Sequence, residues 1–362
     1  MKVNLPVRQA ILDRKTYEVP SESRLGKLRL DFNENTTGCS PAVKRALAKI
    51  SSKQLGMYPE YEVANKKLAR FFKVRPEELL LQNGGDEGLR LFFDVFVEQG
   101  SSILICEPTF PMYRYYAEIF GAKVEVCNHD EEMRFPLDEV LAALGSKPRV
   151  LFIANPNNPT GTVVSRGDIK KILEAATDTA VVIDEAYWEF CGTTVLDWIN
   201  QYPNLYIVRT FSKAAALAGL RLGAVIACPD SLSYIRRAGS PFPVNTLALV
   251  AAEAAIGDPA VMKRYVSQTK KVRNWFAKEA SKLGVKVFPS GGNFILADFG
   301  EPGPALFSRM RSEGILLRER SQQIAPGFAR ITIGTQAEMK RLLAYVKNHF
   351  KAPGATNRNG RR

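Results

Sequence analysis

Histidine is nearly missing from this 362-residue chain, which has only His129 and His349. A Ser-His-Asp triad or a His-rich metal site has little to draw on. His129 sits in the polar run Asn128-His129-Asp130-Glu131-Glu132 and His349 lies near the end, so both read as solvated surface residues. Cysteine is sparse too: Cys39, Cys106, Cys127, Cys191 and Cys228, an odd number with no C-x-x-C pair. That excludes a disulfide framework and a cysteine zinc site, and it fits a reducing compartment. No apolar run approaches the roughly 20 residues that span a bilayer. The start, MKVNLPVRQAILDRK, has no apolar signal region. The chain therefore reads as soluble and cytoplasmic, with no membrane partner. Internal repeats are absent, and neither G-x-x-x-x-G-K-[ST] nor G-x-G-x-x-G occurs.

What is present is an ordinary globular composition, 46% hydrophobic and 24% charged. Fifty basic residues against 37 acidic ones give a formal net charge of +13. The basic residues are spread along the chain. This favours a basic surface that attracts small anions over a nucleic-acid partner. Short apolar runs at 102–106 (SILIC), 123–127 (KVEVC), 150–154 (VLFIA), 180–184 (AVVID), 205–209 (LYIVR) and 222–227 (LGAVIA) read as buried strands. Helical patterns at 110–120, 137–144, 166–176 and 195–201 lie between several of them, and a helix at 85–97 precedes the first. Such alternation implies an α/β fold with a mostly parallel sheet. Beyond Pro243, helices at 245–256 and 259–283 lead into strands at 285–288, 293–297, 314–317 and 329–333, with helices at 305–312 and 337–350. This second region reads as a smaller α+β domain. The tail from 352 to 362 reads as disordered.

Ligands of open α/β sheets bind beyond the carboxyl ends of the strands. Those ends carry Asn155-Pro156-Asn157-Asn158-Pro159-Thr160-Gly161, Asp184-Glu185-Ala186-Tyr187, Thr210-Phe211-Ser212-Lys213 and Gly219-Leu220-Arg221. Asn83-Gly84-Gly85-Asp86-Glu87 opens a helix just before the first of them. Singly, each has a plain structural reading as a turn, a cap or a surface charge. Together they place a carboxylate, a lysine, an arginine, hydroxyls and a glycine-rich helix start at neighbouring strand ends. A helix N-terminus with added hydroxyls and a guanidinium suits a phosphate. A lysine beside such a cup, with an acid on another strand, is what pyridoxal phosphate requires.

The runs TFSKAAALAGLRLG, NPNNPTG and DEAY resemble the fold-type I, class I/II pyridoxal-phosphate aminotransferases, most of all their histidinol-phosphate branch. The resemblance extends from Asp31-Phe32-Asn33-Glu34-Asn35 to Arg330-Ile331-Thr332-Ile333-Gly334. It implies a large domain with a seven-stranded-type sheet at 39–243 and a small domain at 244–351, with residues 1–38 forming an arm that joins the small one. It implies Lys213 as the Schiff-base lysine, Asp184 at the pyridine nitrogen, Tyr187 and Asn158 at the ring oxygen, and Tyr113 stacked on the ring. Gly85, Asp86, Thr210, Ser212 and Arg221 would hold the phosphate, and Tyr58 would reach it from the other subunit of a homodimer. Arg330, Arg318, Tyr17 and Asn158 would meet the substrate. The implied reaction moves an amino group from a small amine donor to a 2-oxo acid by ping-pong steps. An aromatic or other amino-acid aminotransferase and a threonine-phosphate decarboxylase stay open as alternatives. Thr36 stands where the family pattern Asn-Glu-Asn-Pro has proline.

Overall fold

The computed structural model describes residues 5–12, 14 and 23–351. Its twelve strands are β1 (Leu28–Leu30), β2 (Leu79–Gln82), β3 (Ser102–Glu107), β4 (Lys123–Asn128), β5 (Val150–Ala154), β6 (Ala180–Asp184), β7 (Leu205–Thr210), β8 (Gly223–Ile226), β9 (Lys286–Val287), β10 (Phe294–Asp298), β11 (Ile315–Glu319) and β12 (Phe328–Thr332). Seven of them form one sheet in the order β2-β8-β7-β6-β5-β3-β4. Strands β4, β3, β5, β6 and β7 run parallel, while β8 is antiparallel to both its neighbours. The expected mostly parallel sheet is thus present, with β2 as the strand that the sequence pattern did not give.

Strands β5 and β6 are buried along their whole length, as parallel strands covered on both faces must be. Side chains alternate between two cores. Leu151, Ile153, Val181 and Ile183 face helices Tyr61–Phe72, Arg166–Ala175 and Thr246–Ile256. Val150, Phe152, Ala180 and Val182 face helices Gly84–Phe96, Met112–Phe120 and Pro229–Ala238. Each fully buried Leu, Ile or Phe here stabilises the fold by about 1.5–3 kcal/mol. In the second core Phe152 stacks on both Phe93 and Tyr113, at 5.2 and 5.0 Å between centroids.

The second sheet has the order β1-β11-β12-β10-β9. Only the β1–β11 pair is parallel. Its core packs against helices Pro259–Lys282, Gly303–Ser312 and Gln336–His349. The residue 28–30 strand therefore joins a sheet otherwise made after residue 285.

Three sequence readings need correction. Helix Thr246–Ile256, placed with the small domain by a boundary at 243, puts Ala248, Leu249, Ala251, Ala252 and Ala255 into a core of the seven-stranded sheet. Its sequence, TLALVAAEAAI, is apolar on nearly every side and needs that cover. Residues 195–201 make a single 3₁₀ turn, Leu196–Trp198, because Pro203 follows and the Val195 N–H is drawn to the Glu185 carboxylate. His129 is half-buried, with Nδ1 3.0 Å from the Glu107 carbonyl, and burial lowers its pKa. His349 is exposed. The tail at 352–362 lies outside the described residues.

Candidate active site

At the carboxyl ends of β5, β6 and β7 lies a cavity of about 360 Å³. Helix Gly84–Phe96 opens against it, with φ +82° at Gly84. A Cβ at Gly84 would fall 2.5 Å from the Arg221 guanidinium and displace it, and the positive φ itself favours glycine there. Arg221 follows β7 and itself has φ +55°. Its Nη2 donates to Asp86 Oδ2 at 3.0 Å. Thr210, the last residue of β7, donates to Ser212 Oγ at 2.9 Å and accepts from the Ser212 N–H at 3.1 Å. Gly85, Asp86, Thr210, Ser212 and Arg221 thus line one end of the cavity.

Asp184 ends β6 on the cavity floor. Tyr113 donates to its Oδ2 at 2.8 Å and the Ala186 N–H to its Oδ1 at 3.0 Å. Burial raises the carboxyl to about 6; the two donors and the nearby Lys213 oppose the rise, and Asp86 adds to it. Lys213 stands across the cavity, its Nζ donating to the Phe32 carbonyl at 3.0 Å. The Tyr187 ring packs edge-on against Phe294, and its hydroxyl accepts from Asn33 Nδ2 at 3.0 Å.

A smaller cavity of about 150 Å³ continues from this one, sharing Phe32, Phe110, Asn158, Tyr187 and Lys213. Its other walls are Pro111, Arg318, Arg320 and Arg330, so among the described residues no carboxylate lines it. Arg318 of β11 and Arg330 of β12 are directly opposed in antiparallel register, which puts both side chains on one face of the sheet. Arg330 is buried; Nη1 donates to Asn158 Oδ1 at 2.5 Å and Nη2 to the Asp31 carbonyl. Arg318 lies 5.9 Å over the Phe32 ring, and it makes no salt bridge among the described residues. Outside this pocket a vestibule of about 640 Å³ shares Phe110, Pro111, Arg318 and Arg320 with it.

The strap Asp31-Phe32-Asn33-Glu34 runs between the two cavities' lysine and arginine. Arg24 holds it through Asp31 at 2.5 Å and Glu34 at 2.9 Å. Asn33, fully buried with φ +56°, accepts from Thr332 Oγ1 and donates to Tyr187.

Of the expected site residues, Gly85, Asp86, Asn158, Asp184, Tyr187, Thr210, Ser212, Lys213 and Arg221 line the larger cavity, and Arg318 and Arg330 the smaller. Tyr113, expected to stack on the ring, lines neither cavity. It is fully buried, packs on Phe152, and reaches the site only through Asp184. Phe110, three residues earlier, lines both cavities instead. Tyr58 is 76% exposed, stacks on Phe242 at 4.6 Å, and lines none of these cavities. Tyr17 lies outside the described residues. Phe110, Phe32, Asn33 and Arg320 were not singled out from sequence, although Phe32 and Asn33 fall inside the quoted run Asp31-Phe32-Asn33-Glu34-Asn35.

The donor set suits a phosphorylated pyridine aldehyde. The cup offers helix N–H groups, two hydroxyls and a guanidinium, and the missing Cβ of Gly84 lets that guanidinium lie against the helix start. A lysine amine and a buried acid face the space between cup and arginine pocket.

Over residues 26–346 the chain matches the family described as aminotransferase class I and II. It is 35% identical over 332 residues to the histidinol-phosphate aminotransferase of Geobacillus sp. (strain WCH70), with 90% of each chain covered. It is 34% identical over 331 residues to histidinol-phosphate aminotransferase 2 of Legionella pneumophila (strain Lens), covering 89% of this chain and 90% of that protein. A crystal structure of histidinol-phosphate aminotransferase from Sinorhizobium meliloti in complex with pyridoxal-5'-phosphate shares the fold. Its TM-score is 0.86 at 23% identity, covering 96% of this chain and 99% of that one. The chain belongs to the class I and II aminotransferases, which are transaminases dependent on pyridoxal phosphate.

Proposed function

We propose that the protein transfers the amino group of L-histidinol phosphate to 2-oxoglutarate, as a step of histidine biosynthesis in the cytoplasm. The observation that carries this reading is the register pair Arg318 and Arg330 beside Lys213, in a pocket that no carboxylate of the described residues lines. One arginine fork satisfies a carboxylate. Two or more guanidiniums suit the larger charge and extra acceptor oxygens of a phosphate ester. The names of the relatives point the same way.

In this reading Gly85, Asp86, Thr210, Ser212 and Arg221 hold the cofactor phosphate, Phe110 covers the ring, Asn158 and Tyr187 meet the ring oxygen, and Asp184 meets the ring nitrogen. Bound there, pyridoxal phosphate supplies an aldehyde carbon for the incoming amine and a ring that accepts an electron pair. Lys213 moves the proton from the amine-bearing carbon of the substrate, acting as base and then as acid. Asp184, kept as a carboxylate, favours a proton on the ring nitrogen. Arg330 and Arg318 fix the phosphate end of the donor and later a carboxylate of 2-oxoglutarate.

The active unit in this reading is a homodimer in which Tyr58 reaches the partner's cofactor phosphate. Exposed Tyr58, Met57, Leu55 and Phe242 support it as a surface that wants cover. Mixing Tyr58→Ala and Lys213→Ala subunits should restore partial activity; a fully active monomer in sedimentation contradicts it. The donor is tested by a panel of amines with 2-oxoglutarate, following glutamate formation. Histidinol phosphate should give the highest kcat/KM. Preference for phenylalanine or tyrosine, or carbon dioxide release without glutamate, would overturn the assignment.

A further inference from the structure

We propose that Tyr113 is a positioning residue for Asp184, holding that carboxylate ionised and in one orientation toward the cofactor ring from behind the cavity wall. The geometry leaves the hydroxyl little else to do. Tyr113 is fully buried, and among the described residues its hydroxyl makes one hydrogen bond, the 2.8 Å one to Asp184 Oδ2. Its ring stacks on Phe152 of β5 with 12° between planes, and Phe110 meets it edge-on, so the ring cannot swing away. A carboxylate only accepts, so the phenol must donate. Burial holds the phenol well above its ordinary range, so it keeps that proton at any working pH.

The carboxylate needs this partner. Asp184 is buried, and burial favours its neutral form. The charged groups that face it are Asp86, which also disfavours ionisation, and Lys213, which favours it; Tyr113 and the Ala186 N–H supply the hydrogen bonds. Each Asp184 oxygen thus receives one internal donor and keeps acceptor capacity for the ring nitrogen. Without Tyr113, one oxygen loses its donor and the acid shifts toward protonation. A protonated acid no longer pairs with a protonated ring nitrogen.

The inference rests on Asp184 being the acid that meets the ring. Tyr113→Phe keeps the stacked ring and deletes only the hydroxyl. In the holoenzyme, the acid limb of the kcat/KM profile should move up by about one pH unit, and the pyridoxal phosphate dissociation constant should rise about tenfold, the size of one charge-assisted hydrogen bond. In an Asp184→Asn background the same substitution should change cofactor affinity by less than about twofold. 3-Fluorotyrosine at position 113, a stronger donor of nearly equal size, should move the limb down; it also decides the matter if the phenylalanine variant fails to fold. Unmoved limbs in both variants, or an equal loss of affinity in the Asp184→Asn background, would overturn the proposal. If Asp184→Asn itself binds cofactor and turns over like wild type, the reading of Asp184 fails instead.

Discussion

The two halves of the active site are built on different sheets and on different electrostatic plans. The cofactor half stands on β5, β6, β7 and the start of helix Gly84–Phe96, and its acids are held by internal donors: Asp86 by Arg221, Asp184 by Tyr113 and the Ala186 N–H. The other half stands on β11, β12 and the strap at residues 31–34, and its small pocket gathers three arginines with no carboxylate among its lining residues. The first half is arranged to hold one fixed molecule and one reaction. The second presents guanidiniums on one face of its sheet, which in the proposed reading meet the anionic end of the substrate. The lesson is that reaction and selectivity are separable here. Changes on the first sheet should reach every amine donor alike, and changes on the second should discriminate between donors.

Breaking the first half gives the largest effects. Lys213→Ala should abolish transamination with every donor while the cup still retains cofactor, as read by absorbance after gel filtration. Asp184→Ala should fold and lose on the order of 10²–10³ in kcat with each donor, measured by steady-state kinetics. The strap sharpens the comparison, because it touches both halves. Asn33→Asp tolerates the left-handed backbone and still accepts from Thr332, but it reverses the bond to Tyr187, turning that hydroxyl's proton away from the cavity. We expect about a tenfold fall in kcat, equal for two unrelated donors.

The smallest effect is on stability, behind the cofactor half. Glu189 is raised to about 8, chiefly by burial, with Arg209 opposing and Glu185 assisting the rise. Its folded form holds a proton that the unfolded chain releases near its ordinary value. The stability it contributes is therefore full below pH 4.5 and is lost as pH rises toward 8. Glu189→Gln should match wild type near pH 4.5 and exceed it by about 1–3 °C in Tm near pH 8.5, by thermal unfolding.

The same division governs what the sequence disclosed. Apolar strands ending in Asp184 and Thr210 stood out because buried parallel strands read as continuous apolar runs with polar residues at their ends. β2 escaped, since Leu79–Gln82 is four residues long and merges into the Asn83-Gly84-Gly85 helix start. Phe110 and Tyr113 are three residues apart at a helix start, so local spacing cannot say which ring faces the cavity. Phe152, on a strand some forty residues later, decides it by stacking on Tyr113. Asn33 likewise takes its role from Thr332 and Tyr187, each more than 150 residues away. The opposed pair Arg318 and Arg330 was suggested by family resemblance; the register that puts both on one face is visible only in the folded sheet. Single-element features are legible, and features made by contact between distant elements are not.

The central claim, that the arginine sheet reads a phosphate while the other sheet performs a common reaction, is tested most directly by one ratio. It is kcat/KM for L-histidinol phosphate divided by that for a plain amino-acid donor, in wild type and in Arg318→Ala. The account predicts that the ratio falls in the variant by about 1.5–3 kcal/mol of discrimination, on the order of ten- to a hundredfold. An unchanged ratio, with both donors weakened equally, would contradict it.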